Sequence, residues 1–249
     1  LPVRFEKCTF GYRRGKPVLR SLTFDFPEGR TVFLGPNGAG KSTVLGLAAS
    51  MMRPDAGTVS YRGRATSRRA DVRPYREQVA WLPQQVDCVP GLTAREQVAY
   101  VGWLKGMAQS AAWDAAMDAL DQVEMRDHAD RKVSELSGGQ VRRTGVAQSL
   151  VHKAQVLLLD EPTAGMDPRQ RRVFHNVLGR LPSDVSVILS THDVSDLDDI
   201  YDNVVVLSGG AIQFSGTVTE FLALAAYDIA PGRRAESAYD AVVAGAACD

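Results

Sequence analysis

Short stretches in which apolar and polar residues alternate open the chain: Val3-Arg4-Phe5-Glu6, Cys8-Thr9-Phe10, then Leu22-Thr23-Phe24-Asp25-Phe26. A period of two gives each stretch one core-facing side and predicts two strands about the turn Arg13-Arg14-Gly15-Lys16-Pro17. Unbroken apolar runs follow at Thr31-Val32-Phe33-Leu34, Val79-Ala80-Trp81-Leu82, Val156-Leu157-Leu158-Leu159 and Val185-Ser186-Val187-Ile188-Leu189. Such runs mark strands covered on both faces, the habit of central parallel strands. Thr58-Val59-Ser60-Tyr61 adds a short strand ahead of the turn Arg62-Gly63. Val204-Val205-Val206-Leu207, Ser208-Gly209-Gly210 and Ala211-Ile212-Gln213-Phe214 close the pattern as a hairpin.

Between the Val79 and Val156 runs the pattern changes. Residues 93–125 are rich in Ala, Glu, Gln, Met and Trp at helical spacing, with Val98, Val101, Trp103 and Leu104 in one apolar group and Trp113, Met117 and Leu120 in another. This predicts a helical subdomain, over about residues 86–150, inserted between strands, with the Met and Trp stripes as packing. A further helix is expected over 141–150. The expected class is α/β: a mainly parallel sheet, an antiparallel β subdomain and the helical insertion. The core runs over 1–224, and 225–249 is an extension without a readable motif, its Ala-rich end a short helix or a frayed terminus.

Candidate chemistry starts directly after the Thr31 run, at Gly35-Pro36-Asn37-Gly38-Ala39-Gly40-Lys41-Ser42-Thr43. A loop that wraps a polyphosphate must turn successive backbone N–H groups inward, and Gly35, Gly38 and Gly40 allow that close approach. Lys41 reaches the outer phosphates, Ser42 offers a hydroxyl to Mg²⁺, and a helix opening near Lys41 aims its dipole at the anion. A glycine-rich turn is the bland alternative. The strand–loop–helix setting and the Gly-Lys-Ser ending make nucleotide binding the stronger reading.

Other strand ends carry matching groups. Asp160 and Glu161 end the Val156 run, one suited to the Mg²⁺ shell and the other to general-base work on an attacking water. His192 follows the Val185 run, where it can hydrogen-bond a γ-phosphate or that water. Gln84 and Gln85 follow Leu82-Pro83, and spacing alone does not choose between them as a metal-side amide. Tyr12 reads as core filler or as a ring for a base to stack on, with filler favoured on spacing. Leu136-Ser137-Gly138-Gly139-Gln140 places a hydroxyl and free N–H groups at a helix start, a second anion site of the same physical kind. Asp167, in the tight loop Pro162-Thr163-Ala164-Gly165-Met166-Asp167-Pro168, suits a polar contact across an interface.

Composition narrows the classes. Across 249 residues, 45% hydrophobic and 23% charged, basic and acidic groups balance at 29 each, which argues against a dedicated nucleic-acid binder. The densest basic stretch, Arg62, Arg64, Arg68, Arg69, Arg73 and Arg76, reads as a solvated face. Cys8, Cys88 and Cys248 have neither disulfide nor zinc spacing and fit a reducing compartment. No apolar run nears the roughly 20 residues that cross a bilayer, so a soluble, cytoplasmic chain is expected.

In this order the motifs resemble the nucleotide-binding subunit of ATP-binding-cassette (ABC) transporters, over residues 3–224. The P-loop alone indicates a P-loop NTPase; the Leu-Ser-Gly-Gly-Gln stretch some twenty residues ahead of Asp160, with a strand-end His beyond, is far more specific. The resemblance implies ATP and Mg²⁺ as cofactors and a head-to-tail homodimer, or a heterodimer with a similar chain. Each ATP would lie between one P-loop, residues 35–43, and the partner's Ser137, Gly138, Gly139 and Gln140. It implies that Tyr12 stacks on adenine, against the filler reading, and that Lys41, Ser42 and Thr43 bind phosphate and Mg²⁺. Gln84 becomes the metal- and partner-sensing glutamine, Asp160 the metal-shell acid, Glu161 the base, His192 the switch histidine and Asp167 a dimer contact. With Glu161 and His192 both present the site looks competent for hydrolysis.

Met166 stands where Leu is usual, and Gln148 where many members have Arg. That spelling looks more like the ATPases of ABC-2-type exporters than like importers. A separate membrane permease is the implied partner, with the chain peripheral on the cytoplasmic face of the membrane and neither nucleic acid nor zinc involved. A soluble cassette acting on nucleic acid or ribosomes fits worse, since no coiled-coil or zinc insertion separates Gln84 from Leu136. A small-molecule kinase leaves the Leu136–Gln140 stretch unexplained.

Overall fold

The computed structural model describes residues 3–13, 15–197, 199–226, 229–230 and 233–245. Arg14 of the first turn, Cys248, and Tyr227, Asp228, Pro231 and Gly232 of the tail lie outside them.

The unbroken apolar runs form one sheet. Strands β3 (Arg30–Leu34), β6 (Val79–Leu82), β7 (Val156–Asp160), β8 (Ser186–Thr191), β9 (Asn203–Ser208) and β10 (Ala211–Thr217) lie in the order β10-β9-β3-β8-β7-β6. All neighbours are parallel except the β9–β10 hairpin. Because side chains alternate across a strand, each run serves two cores. Val32, Leu34, Leu157, Leu159, Val187, Leu189, Val204 and Val206 face one cluster. Phe33, Leu158, Ile188, Val205 and Leu207 face the other.

The alternating stretches form the second sheet, in the order β2-β1-β4-β5: β1 (Arg4–Phe10), β2 (Leu19–Asp25), β4 (Ala56–Tyr61) and β5 (Arg64–Ala65), all antiparallel. Helix α1 (Lys41–Ala48) runs between the two sheets and buries every residue but Ser42. That sandwich fixes the P-loop, since the loop is the only chain between β3 and α1.

On the opposite face, α3 (Ala94–Leu104), α4 (Gln109–Gln122) and α5 (Gly138–Leu150) pack on one another between β6 and β7 in sequence. Thr93 starts α3 through a capping box with Glu96. α6 (Pro168–Gly179) follows β7, and the short α7 (Val218–Leu222) follows β10. The tail forms α8 (Arg234–Gly245), anchored by fully buried Ala238. No helix of the described residues is long and apolar enough to cross a membrane.

Three expectations need correction. α5 starts at Gly138 instead of residue 141, because the side chain of Ser137 accepts from Gln140 N and that of Gln140 from Ser137 N, so the capping box carries the helix through both glycines. Residues 69–78, read only as part of a solvated basic face, form helix α2 (Arg69–Gln78). Its one buried side chain, Tyr75, donates to Ala48 O; the segment is strongly polar and Pro74 inside it removes a helical donor, so it reads from sequence as a charged loop. Third, Trp103 and Trp113 are not packing: they are 55% and 41% exposed, Trp103 stacked on Tyr100 and Trp113 beneath the Arg95 guanidinium.

Candidate nucleotide site and its surroundings

Three of the six-stranded sheet's strands deliver their C-terminal ends to one place, the usual position for a ligand in a parallel α/β sheet. β3 leads into the P-loop, β7 ends in Asp160 and Glu161, and β8 ends just before His192. Gly35 is required by close approach, as a Cβ there would stand 2.4 Å from Leu207 O. Gly40, the N-cap of α1, takes φ 106°, where L side chains are strained.

A cavity of about 410 Å³ opens over the loop. Its walls include Tyr12, Pro36, Asn37, Gly38, Gly40, Lys41, Ser42, Thr43, Gln84, Glu161 and His192. Gln84 lines it and Gln85 does not. Tyr12 is 66% exposed at its edge, turned edge-on to Phe10, with its hydroxyl 3.1 Å from Thr43 Oγ1. Core filler is thereby excluded for this ring. Gly35 and Ala39 are buried beneath the loop.

The charged groups form one bonded array. Lys41 Nζ, almost wholly buried, donates to Gly35 O at 2.6 Å and Pro36 O at 3.3 Å and stands 3.6 Å from Glu161 Oε1. Burial lowers the Lys41 pKa, partly opposed by Glu161 and Asp160. Glu161 Oε2 lies 2.8 Å from His192 Nδ1. Asp160 Oδ1 accepts from Ser42 Oγ at 3.1 Å and from Ser190 Oγ at 2.6 Å. Glu161 takes φ 47°, an unusual backbone for a non-glycine residue. Its N–H is held at 3.1 Å by both Ser190 O and Ser190 Oγ. Ser190 therefore holds Asp160 and Glu161 together. The sequence reading took it only as the end of a buried strand; a lone hydroxyl on a β strand carries no pattern.

For Mg²⁺ the fit is good: the carboxylate of Asp160, the hydroxyl of Ser42 and the amide of Gln84 are hard oxygen donors of the kind that ion takes. Among the described residues no group of three His, Cys, Asp or Glu is placed to hold a metal.

Ser137, Gly138, Gly139 and Gln140 do not line this cavity, and neither does Asp167. Gly138 is exposed, with nothing within 4 Å of a Cβ built on it. Asp167 Oδ1 accepts from Gln170 N at 2.8 Å as N-cap of α6, and the Gln170 side chain lies against Gly139. Thus the starts of α5 and α6 make one exposed patch of helix N-termini.

A second concavity, of about 1100 Å³, lies between α2, the end of β6 and α3. Arg53, Arg69, Arg73, Arg76 and Lys105 line it against Glu77 and Asp87, with exposed Met51, Trp103 and Leu104 also on its walls. Half of the basic stretch, Arg69, Arg73 and Arg76, is thereby exposed, as expected of a solvated face, and also lines this open concavity. Among the described residues, Trp81 Nε1 and Gln148 Nε2 are buried there without hydrogen-bond partners. Burial, then Lys105, pushes His152 down to about 4, and burial, then Arg76, pushes Lys105 down to about 8.

The family model described as ABC transporter matches residues 19–164. The Bacillus subtilis protein named uncharacterized ABC transporter ATP-binding protein YxlF is 31% identical over 86% of this chain and 70% of its own. Nod factor export ATP-binding protein I of Burkholderia lata is 36% identical over 78% of this chain and 64% of its own. The chain thus spans about two thirds of the length of these relatives. A bacterial ABC transporter cassette, solved as a dimer, superposes with a TM-score of 0.77 at 24% identity, over 87% of this chain and 98% of that one, which speaks for the fold. With a P-loop, paired strand-end acids and a strand-end histidine on that fold, the chain belongs to the ABC transporter family, as one of its ATP-binding ATPase cassettes.

Proposed function

We propose that the chain hydrolyses MgATP in a composite site to drive export through a separate permease chain, from a peripheral position on the cytoplasmic face of the membrane. The observation that carries this reading is a division of labour on one surface. The catalytic array faces the 410 Å³ cavity, while the Ser137–Gln140 helix start, whose capping box leaves out the Gly138 and Gly139 N–H groups, lies outside it. A second copy, or a similar chain, docked head to tail supplies the missing wall, and a γ-phosphate gripped from both sides couples nucleotide to closure.

In this site the P-loop N–H groups and Lys41 take the phosphates, and Lys41 exchanges its contacts with Gly35 O and Pro36 O for phosphate oxygens. Tyr12 gives up Thr43 and presents its face to adenine. Ser42, Asp160 and Gln84 would hold Mg²⁺, which supplies charge neutralisation on the phosphates when bound. A water oxygen forms the new bond to the γ-phosphorus as the bond to the β–γ bridging oxygen breaks, and the water's proton passes to Glu161. His192 holds Glu161 by its other oxygen, 2.8 Å away, and so fixes the carboxylate toward the water. The products are ADP and phosphate, and loss of the γ-phosphate contact releases the partner.

Export is favoured over import by the similarity to a protein named for Nod factor export; the cargo of that protein is its own. The second concavity suits the permease: its five cations against two acids select a cytoplasmic helix that is apolar toward Trp103 and Leu104 and acidic toward Arg69, Arg73 and Arg76. The test is gentle solubilisation of native membranes and mass spectrometry of what travels with the tagged chain. A polytopic membrane protein at near-equal stoichiometry, lost in Arg73→Glu/Arg76→Glu, is expected. Recovery with ribosomes or nucleic acid instead would overturn the transport reading.

A further inference from the structure

Asp196 is 1% exposed and lies four residues past His192, yet it touches neither the cavity nor any group assigned a role above. Its Oδ2 accepts from Thr163 Oγ1 at 2.8 Å and from Thr191 Oγ1 at 2.6 Å, and both hydroxyls are themselves buried. Thr163 follows Glu161 by two residues, and Thr191 precedes His192 directly. One carboxylate oxygen therefore ties the loop that carries the base to the strand end that carries the histidine.

The other oxygen faces helix α6. Arg171 Nε stands 3.4 Å from Asp196 Oδ1, and the same guanidinium reaches Asp193 Oδ2 at 3.2 Å and Ser195 Oγ at 3.0 Å. Arg171 sits in the first turn of α6, where its N–H donates to Asp167 O at 2.9 Å. Bonded groups thus connect Asp167 at the exposed patch to Arg171, Asp196, and the two threonines beside Glu161 and His192. α8 closes over the turn Val194–Asp196 and seats the tail against this node. A buried carboxylate is costly unless it is paired and hydrogen-bonded: Oδ2 takes both hydrogen bonds, from residues beside Glu161 and His192, while Oδ1 makes no hydrogen bond among the described residues and has the Arg171 ion pair.

We propose that Asp196 is a positioning residue that sets the Glu161–His192 pair and transmits docking at the Asp167 patch to it through Arg171. The inference rests on the reading of Glu161 as base and His192 as its holder. A purely structural Asp196 would cost stability in every property alike; a positioning Asp196 costs turnover while leaving the P-loop, which it does not touch, to bind nucleotide as before.

The experiment measures kcat for MgATP, Kd for MgADP and Tm in Asp196→Asn, Thr163→Val, Thr163→Ser, Arg171→Met and, as a separate control, Glu161→Gln. Asp196→Asn, Thr163→Val and Arg171→Met are expected to lose kcat on the order of tenfold with MgADP Kd within about threefold, the signature of an interaction felt in the transition state. Thr163→Ser, which restores the hydroxyl, recovers most of what Thr163→Val loses. Because Val matches Thr in shape, that pair remains informative even where Asp196→Asn folds poorly. Equal kcat in Thr163→Val and Thr163→Ser, or kcat falling only in step with the folded fraction, overturns the proposal. Normal turnover in Glu161→Gln would instead sink the underlying base assignment, so the two failures are distinguishable.

Discussion

Replacing Ser190 by Ala is a demanding probe of the site, because its hydroxyl is fully buried and does two things at once. It donates to Asp160 Oδ1 at 2.6 Å and accepts from Glu161 N at 3.1 Å. The second bond survives in part, since Ser190 O also accepts from Glu161 N at 3.1 Å. The first does not: of its two hydroxyl partners Asp160 keeps Ser42, and the 3% exposed carboxylate loses the other. Such bonds contribute about 1.5–3 kcal/mol. Glu161 adds to the expectation, as its φ of 47° persists only while neighbours constrain it. A loss of about 2 kcal/mol follows, and at roughly 2–4 °C per kcal/mol for a chain of this size Tm should fall by about 4–8 °C. Thermal unfolding of the nucleotide-free chain reads this directly. Steady-state hydrolysis at varied Mg²⁺ should show a raised Mg²⁺ requirement, because Asp160 is no longer aimed. A Tm within about 1 °C of the parent, with unchanged Mg²⁺ dependence, would refute the view that this hydroxyl organises both acids.

Gly35→Ala should weaken MgADP binding by tenfold or more on the order of a rebuilt phosphate loop, since its Cβ would meet Leu207 O, a backbone atom that cannot swing aside; an isothermal titration matching the parent would rule out the close-approach argument. His152 supplies a pH test. Its folded pKa of about 4 lies below the ordinary 6.5, so the unfolded chain takes the proton first: stability is intact above pH 6.5 and is lost as pH falls toward 4. Urea unfolding across that window should show the parent losing on the order of 2–3 kcal/mol more than His152→Gln, and identical acid slopes would contradict it. Lys105 has the same sign in a higher window, with stability gained as pH rises from about 8 toward the ordinary value of 10.5 and that gain missing in Lys105→Met.

How far the molecule is legible in its sequence follows from where its constraints lie. The P-loop, Asp160, Glu161 and His192 can be read because each sits at the end of an apolar run, and a parallel sheet delivers such ends to one edge. The bonds that hold those groups cannot be read this way. Ser190 and Asp196 are single polar residues on buried segments, and their partners at Asp160 and Thr163 are some thirty residues away in sequence. Helix α2 escapes for a different reason: it is short, strongly polar overall, buries one tyrosine and carries a proline, which together read as a charged loop. Trp103 misleads because periodicity shows which side chains share a face but not whether anything covers that face. Gln84 and Gln85 are equivalent by spacing and separate in the sequence only through the family resemblance; in the fold Gln84 lines the cavity and Gln85 does not.

The central claim is the composite site, and ATP-dependent association tests it most directly. Glu161→Gln, slowed in hydrolysis and able to bind, should sediment as a monomer alone and as a dimer with saturating MgATP. Gly138→Asp added to it makes the decisive comparison. Nothing lies within 4 Å of a Cβ at that position, and an acid in the first turn of α5 suits the helix dipole, so the monomer should fold and bind ATP as before. In the dimer that carboxylate would face the partner's γ-phosphate. The account predicts dimer for Glu161→Gln and monomer with ATP bound for the double variant; equal dimerisation of the two, or no dimer from either at saturating MgATP, would contradict it.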